Sequence, residues 1–215
     1  MKKIICIIFS LCMFSTVATA ENFNMVGVKY GLAGLQGTAA SHTSGSITRS
    51  SNTDHVESEY GSLFAEYAVQ NSPFSVGVEY VPFDGVISID HGSSVDSSAT
   101  ISDYTTIYAM ATKSFNNGVG LYGRLGYSFA DLSVKANSDD TTINSADDDL
   151  KGYTAGFGIQ SPKFSAADLI SRLEVNYTAY DDLNVNTTSN GSDNVAKKAT
   201  DIESATISIS FAKTF

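Results

Sequence analysis

The chain has 215 residues, with 23 acidic against 13 basic residues for a formal net charge of −10. An acidic balance of this size excludes nucleic acid as a partner, because binding it needs a basic surface. The length suffices for one domain, and abundant Ser, Thr, Asn, Asp, Gly and Tyr favour strands and turns over helices.

The chain opens MKKIICIIFSLCMFSTVATA. Lys2 and Lys3 give a positive start, residues 4–14 are apolar but too few to span a bilayer, and Ala18-Thr19-Ala20 is an A-x-A cleavage site. This pattern predicts a signal peptide over residues 1–20, removed to leave one domain over residues 21–215. Cys12 would suggest a lipoprotein, but Leu11 stands before it where such leaders carry a small residue. Both cysteines, Cys6 and Cys12, fall in the leader, so the mature domain is expected to have no disulfide and no Cys-ligated metal. No later stretch approaches the roughly 20 apolar residues of a membrane-spanning helix, whereas a barrel strand needs only about 9–11 alternating ones.

Eight alternating segments follow. Residues 23–34 place Val26, Val28, Tyr30 and Leu32 on one face and Gly27, Lys29 and Gly31 on the other. Residues 59–69 set Leu63, Ala65 and Tyr67 against Phe64 and Glu66, and residues 74–81 set Phe74, Val76, Val78 and Tyr80 against Ser75, Gly77 and Glu79. Residues 104–115 form the fourth strand, with facing left open: Ile107, Ala109 and Ala111 compete with Tyr108 and Met110. In the fifth, Leu121, Leu125, Tyr127 and Phe129 oppose Tyr122, Arg124 and Ser128. Residues 150–160 oppose Tyr153 and Phe157 to Gly152, Thr154 and Gly156, and residues 167–179 oppose Leu173, Val175 and Tyr177 to Arg172, Glu174 and Asn176. The last stretch, residues 205–215, alternates Ala205, Ile207, Ile209 and Phe211 with Thr206, Ser208 and Ser210, and ends on Phe215.

The connections alternate between long polar segments and short turns at Asn71, at Asn116-Asn117-Gly118 and at Pro162. The second long segment carries its own alternation over residues 86–90, which suggests strands continuing above the membrane into a hairpin near His91. Long and short connections in turn predict an all-β fold, an eight-stranded antiparallel up-and-down transmembrane β-barrel with both ends on the periplasmic side. With a last strand that alternates and ends in Phe215, the chain resembles the bacterial outer-membrane β-barrel proteins, in particular stand-alone eight-stranded barrels of the OmpA/OmpX type. The resemblance implies outer-membrane localisation, contact with outer-membrane lipid and lipopolysaccharide, and a monomer. It also implies that the barrel assembly machinery reads Ile207, Ile209, Phe211 and Phe215. Lys213 departs from the pattern, which often has an aromatic residue at that position.

Lys29, Glu66, Glu79, Arg124, Arg172 and Glu174 each fall on the face opposite the apolar one. A Lys or Arg on the lipid face at mid-depth would cost about 2–4 kcal/mol, so all six are expected to point into the lumen. Three positive and three negative groups there predict a self-satisfied plug, with Lys29, Glu66 and Glu79 in one cluster and Arg124, Arg172 and Glu174 forming or joining another. The plug predicts a closed barrel whose four long polar loops serve envelope structure or contact with a surface or host ligand. The alternatives are a small ion or solute channel and a lipid-modifying enzyme. Catalysis is not expected: His42, His55 and His91 all lie in polar loop sequence, and the aspartates around Asp147 lack calcium-loop spacing. No cofactor or metal is predicted.

Overall fold

The structure, a computed structural model, describes residues 25–39, 42–44, 47–49, 51–90, 95–138, 141–142, 146–163, 168–188 and 194–215. The predicted leader, residues 1–20, and the proposed hairpin tip at His91 lie outside them. The wall consists of β1 (Met25–Ala39), β2 (Asn52–Ala68), β3 (Phe74–Tyr80), β4 (Val95–Ser114), β5 (Gly120–Ser138), β6 (Ala146–Gln160), β7 (Leu169–Tyr180) and β8 (Asn194–Thr214). Consecutive strands pair antiparallel, and β8 pairs with β1 from Met25↔Thr214 to Ala39↔Ala199, which closes the barrel. Short strands, Gly85–Asp90 and Leu183–Thr188, follow breaks after β3 and β7 and pair with β4 and β8.

Several strands run well past their predicted ends. β2 begins at Asn52 and β5 reaches Ser138. The sequence reading stops where hydrophobic alternation stops, but a ladder is held by backbone groups and continues through Ser, Thr and Asp. Since about 9–11 residues cross a bilayer, strands of 19 to 21 residues such as β5, β4 and β8 carry sheet beyond it.

The connections at one end are short for local reasons. Asn71 takes a left-handed conformation (φ 57°) that Asn tolerates, and Gly118 (φ 82°) closes its turn by donating to the Phe115 carbonyl at 2.9 Å. Two bulges lie toward the other end. β4 inserts one extra residue between Ser102 and Thr105, and β8 inserts one opposite Gly37. Asp103 and Asp201 supply the positive φ at these places.

One seam is incomplete. β2 and β3 pair only from Leu63↔Tyr80 to Ala68↔Ser75. Val81 still donates to the Tyr104 carbonyl at 2.9 Å, so the chain keeps its hold on β4. Pro82 follows, has no N–H to give a ladder, and the chain leaves β2 there.

The outer face is apolar over the middle of the wall. Val28, Tyr30, Phe74, Val76, Ile107, Leu125, Phe157, Leu173, Ile209 and Phe211 are all exposed. A continuous apolar band of that size is what a lipid-facing surface requires and what a water-facing one avoids. The fourth strand resolves as Ile107, Ala109 and Ala111 outward with Tyr108 and Met110 buried.

Candidate functional site

The lumen is filled in layers. Nearest the short turns, Phe64, Ile170 and Ala212 pack together with Met25. The six charged residues are each buried, Glu66 at the level of Met25 and the other five farther in.

Lys29 Nζ donates to Glu79 Oε2 at 2.7 Å and to Glu174 Oε1 at 2.6 Å. Arg124 Nη1 lies 2.7 Å from Glu79 Oε2 and 3.0 Å from Glu174 Oε1. Two cations and two carboxylates therefore form one neutral cluster. Ser62 donates to the second oxygen of Glu79 at 2.7 Å, and the Tyr122 hydroxyl to the second oxygen of Glu174 at 3.1 Å. Asn176 Nδ2 adds a bond to Glu174 at 2.9 Å.

Arg172 and Glu66 form a second neutral cluster, a two-bonded fork with distances of 2.6 and 2.9 Å. Tyr108 donates to Glu66 at 2.7 Å, and Arg172 Nε donates to Gln160 at 3.0 Å. The clusters are laced through their aromatics. The Arg124 guanidinium lies 3.8 Å from the Tyr108 ring centroid, and that of Arg172 lies 5.2 Å from the Tyr122 centroid. Charges so deep are tolerable only with this degree of pairing.

Lys29 and Glu79 meet as expected and Arg124 and Glu174 join them, but Glu66 leaves that cluster for Arg172. Lys29 and Glu66 are on adjacent strands but do not meet. Lys29 is opposite Ser62, while Glu66 is opposite Met25, four residues along, which is roughly 13 Å at strand spacing. Arg172 and Glu174 share a face yet turn to different clusters. All five of these ion pairs join non-adjacent strands, β1 or β5 to β3 and β7, and β7 to β2, because side chains in a narrow, tilted barrel meet across the lumen.

Sequence reasoning missed Tyr108 and Tyr122 as members of the network. A signal was present: both lie directly opposite inward glycines, Gly77 and Gly158. A β-carbon at Gly77 would come within 2.5 Å of the Tyr108 ring, so the glycine is what lets the ring lie flat on the wall.

Above the charges runs a row of hydroxyls across four strands. Thr106 meets Ser128 at 2.8 Å, Ser128 meets Thr154 at 2.7 Å, and Thr154 meets Thr178 at 2.8 Å. Higher still, Ala130, Leu132, Leu150, Leu183 and Ile202 form an apolar cluster, flanked by Leu35, Ile101, Tyr104 and Tyr180. A cavity of about 630 Å³ opens beside it, over Glu79 and Arg124.

The remaining candidates lie apart from the lumen. His55 is exposed on β2, and the side chain of His42 and all of His91 fall outside the described residues. Asp149 pairs with Lys151 at 2.8 Å on the exposed surface. Among the described residues, no group of three or more His, Cys, Asp or Glu is placed to hold a metal ion. Ile207, Ile209, Phe211 and Phe215 are exposed along the outer side of β8, with Lys213 Nζ 5.9 Å from the Phe215 ring centroid.

A closed antiparallel barrel with an apolar outer band and a charge-filled interior defines a membrane-spanning barrel. The chain belongs to the outer membrane protein beta-barrel domain family, whose model matches residues 4–215, and it is a protein of the outer membrane. Its fold is similar to that of outer membrane protein OprG from Pseudomonas aeruginosa, with a TM-score of 0.58 at 12% identity, over 90% of this chain and 98% of that one. It is also similar to Ail, the attachment invasion locus protein of Yersinia pestis, with a TM-score of 0.50 at 14% identity, over 89% of this chain and 99% of that one. No curated protein matches it in sequence.

Proposed function

We propose that this protein is a closed, non-enzymatic barrel that serves envelope structure or surface contact through its outward-projecting parts. The observation that carries this reading is the plug. Two separately neutral, hydrogen-bonded clusters fill the lumen from wall to wall, so the charges are engaged with one another and not with a passing solute. The fold shared with a protein named for attachment agrees with the reading. On it, the leader exports the chain and the barrel is a monomer among outer-membrane lipid and lipopolysaccharide. The long connections near Ser46, Ser94, Thr141 and Ser189 then face outward toward a surface or host ligand.

Conductance tests it. The wild-type protein in a planar bilayer should show no large, steady current. A stable, ion-selective current altered by Arg124→Ala would establish the second reading, a small channel, which the cavity above the plug favours. A separate expectation concerns insertion. We propose that Ile207, Ile209, Phe211 and Phe215 present β8 to the barrel assembly machinery. Phe215→Asp should slow insertion and leave aggregates in the periplasm, and normal amounts of heat-modifiable folded protein would remove that role.

A further inference from the structure

β4 carries a trough on its lipid-facing side. Its outward residues run Ile107, Ala109, Ala111 and Lys113 toward the short turns. The residues beside the two alanines are larger. On β3, Phe74 is opposite Ala111 and Val76 is opposite Ala109. On β5, Leu125 is opposite Ala109 and Leu121 is opposite Lys113. Gly123, opposite Ala111, widens the floor: a β-carbon there would meet nothing within 4 Å. Ile107, 58% exposed, closes the far end. From Ala109 to Lys113 the trough is roughly 13 Å long at strand spacing. The part nearest the turns is an open groove of about 410 Å³, bounded by Pro73, Ala111, Lys113, Leu121 and Gly123.

The charge at the end of the trough is unmatched. Lys113 is exposed and forms no ion pair among the described residues. It stands two residues before Phe115, whose N–H and carbonyl close the turn, so it is at the edge of the apolar band. A lysine at that depth costs little, and its long stem carries the ammonium toward the headgroups. β8 supplies the contrast. Lys213 is also outward and near the same end of the barrel, but the next outward residue is Phe211, 51% exposed, and its ammonium rests by the Phe215 ring. Lys213 therefore has headgroups within reach and no trough beside it. An apolar trough with a cation at its end complements an acyl chain that ends in an anionic headgroup. It does not suit a second copy of this barrel, because a two-fold contact through the trough would bring two Lys113 side chains together.

We propose that the β4 trough holds one anionic phospholipid, with an acyl chain over Ala109 and Ala111 and the headgroup phosphate on the Lys113 ammonium. The lipid comes from the leaflet at the short-turn end, the periplasmic leaflet in an outer-membrane barrel. The site stands whether or not the lumen conducts.

The test uses the protein extracted from outer membranes into a neutral detergent and titrated with phosphatidylglycerol or phosphatidylcholine of identical chains. Native mass spectrometry counts the lipids that each barrel retains. The expected result is one phosphatidylglycerol per barrel, held about fivefold more tightly than phosphatidylcholine. Lys113→Gln should remove that preference, and Lys213→Gln should leave it unchanged. Ala111→Phe, which fills the trough and keeps the lysine, should weaken both lipids. Heat-modifiable migration confirms that each variant is folded, and the wild-type comparison of the two lipids decides on its own if a variant fails. Equal retention of both lipids by the wild type would overturn the proposal. So would a preference that survives Lys113→Gln, one that is lost equally in Lys213→Gln, or retention unchanged in Ala111→Phe. Barrel dimers in place of lipid adducts would assign the trough to a second copy and overturn it as well.

Discussion

Two seams of this barrel differ in completeness. β1 and β8, the first and last strands, stay paired from Met25↔Thr214 to Ala39↔Ala199 with one bulge on the way. β2 and β3, joined by a short turn, stay paired only from Leu63↔Tyr80 to Ala68↔Ser75. Beside the long seam the lumen is packed: Lys29 reaches from β1 to carboxylates on β3 and β7. Above the short seam it opens into the cavity. Sequence distance did not decide which seam is complete. A residue that cannot donate to a ladder, Pro82, stands where the short one ends.

The comparison can be broken most severely at Glu66, on the paired part of the short seam. Glu66→Ala strips Arg172 of its fork and Tyr108 of its acceptor. Breaking a buried pair costs about 3–5 kcal/mol, and less if water enters. Equilibrium unfolding in urea from lipid vesicles would measure it. Adding Arg172→Met should cost less than the two single losses together, because neither charge is then stranded. An additive result would mean that the fork contributes nothing as a pair.

Gly77 is opposite Tyr108 and Glu66 in the same short stretch. Gly77→Val pushes a side chain into the Tyr108 ring, and overpacking of this kind typically costs about 1–3 kcal/mol. The same unfolding experiment reads it, and the loss should persist in a Tyr108→Phe background, because the clash is with the ring.

The smallest change sharpens the contrast. Pro82→Thr restores an N–H where β3 leaves β2. It should let the β2–β3 ladder extend by a residue or two, with a gain of about 1 kcal/mol or less. Slower hydrogen exchange at the amides of residues 59–61 would show the extension, and unchanged exchange would place the cause of the gap elsewhere.

The strand count, the inward face and the short turns were legible in the sequence, because each rests on local chemistry. Val28, Tyr30 and Leu32 alternate with Lys29 and Gly31 within one strand, and no distant information is needed to read them. That Glu66 leaves Lys29 for Arg172 was not legible. It depends on tilt and register, which are properties of the closed sheet. The fourth strand stayed ambiguous because Tyr108 and Met110 are as apolar as the residues that face lipid. The outer parts of β2 and β5 went unread because their alternation is among polar residues. The gap has a trace in Pro82, the residue that follows the predicted strand over residues 74–81, where it marks the end of a seam as well as the end of a strand.

The row of hydroxyls above the charges has a consequence of its own. Along Thr106, Ser128, Thr154 and Thr178 each oxygen can give or accept a proton, so the row has two senses. Reversing it needs only rotation about C–O bonds; the heavy atoms stay where they are. Bonds in such a chain polarise one another and tend to turn together. The row is therefore a switchable dipole lying over the four charges of the larger cluster. It can orient against a field of either sign, as a layer of liquid water would, but with its oxygens fixed to four different strands.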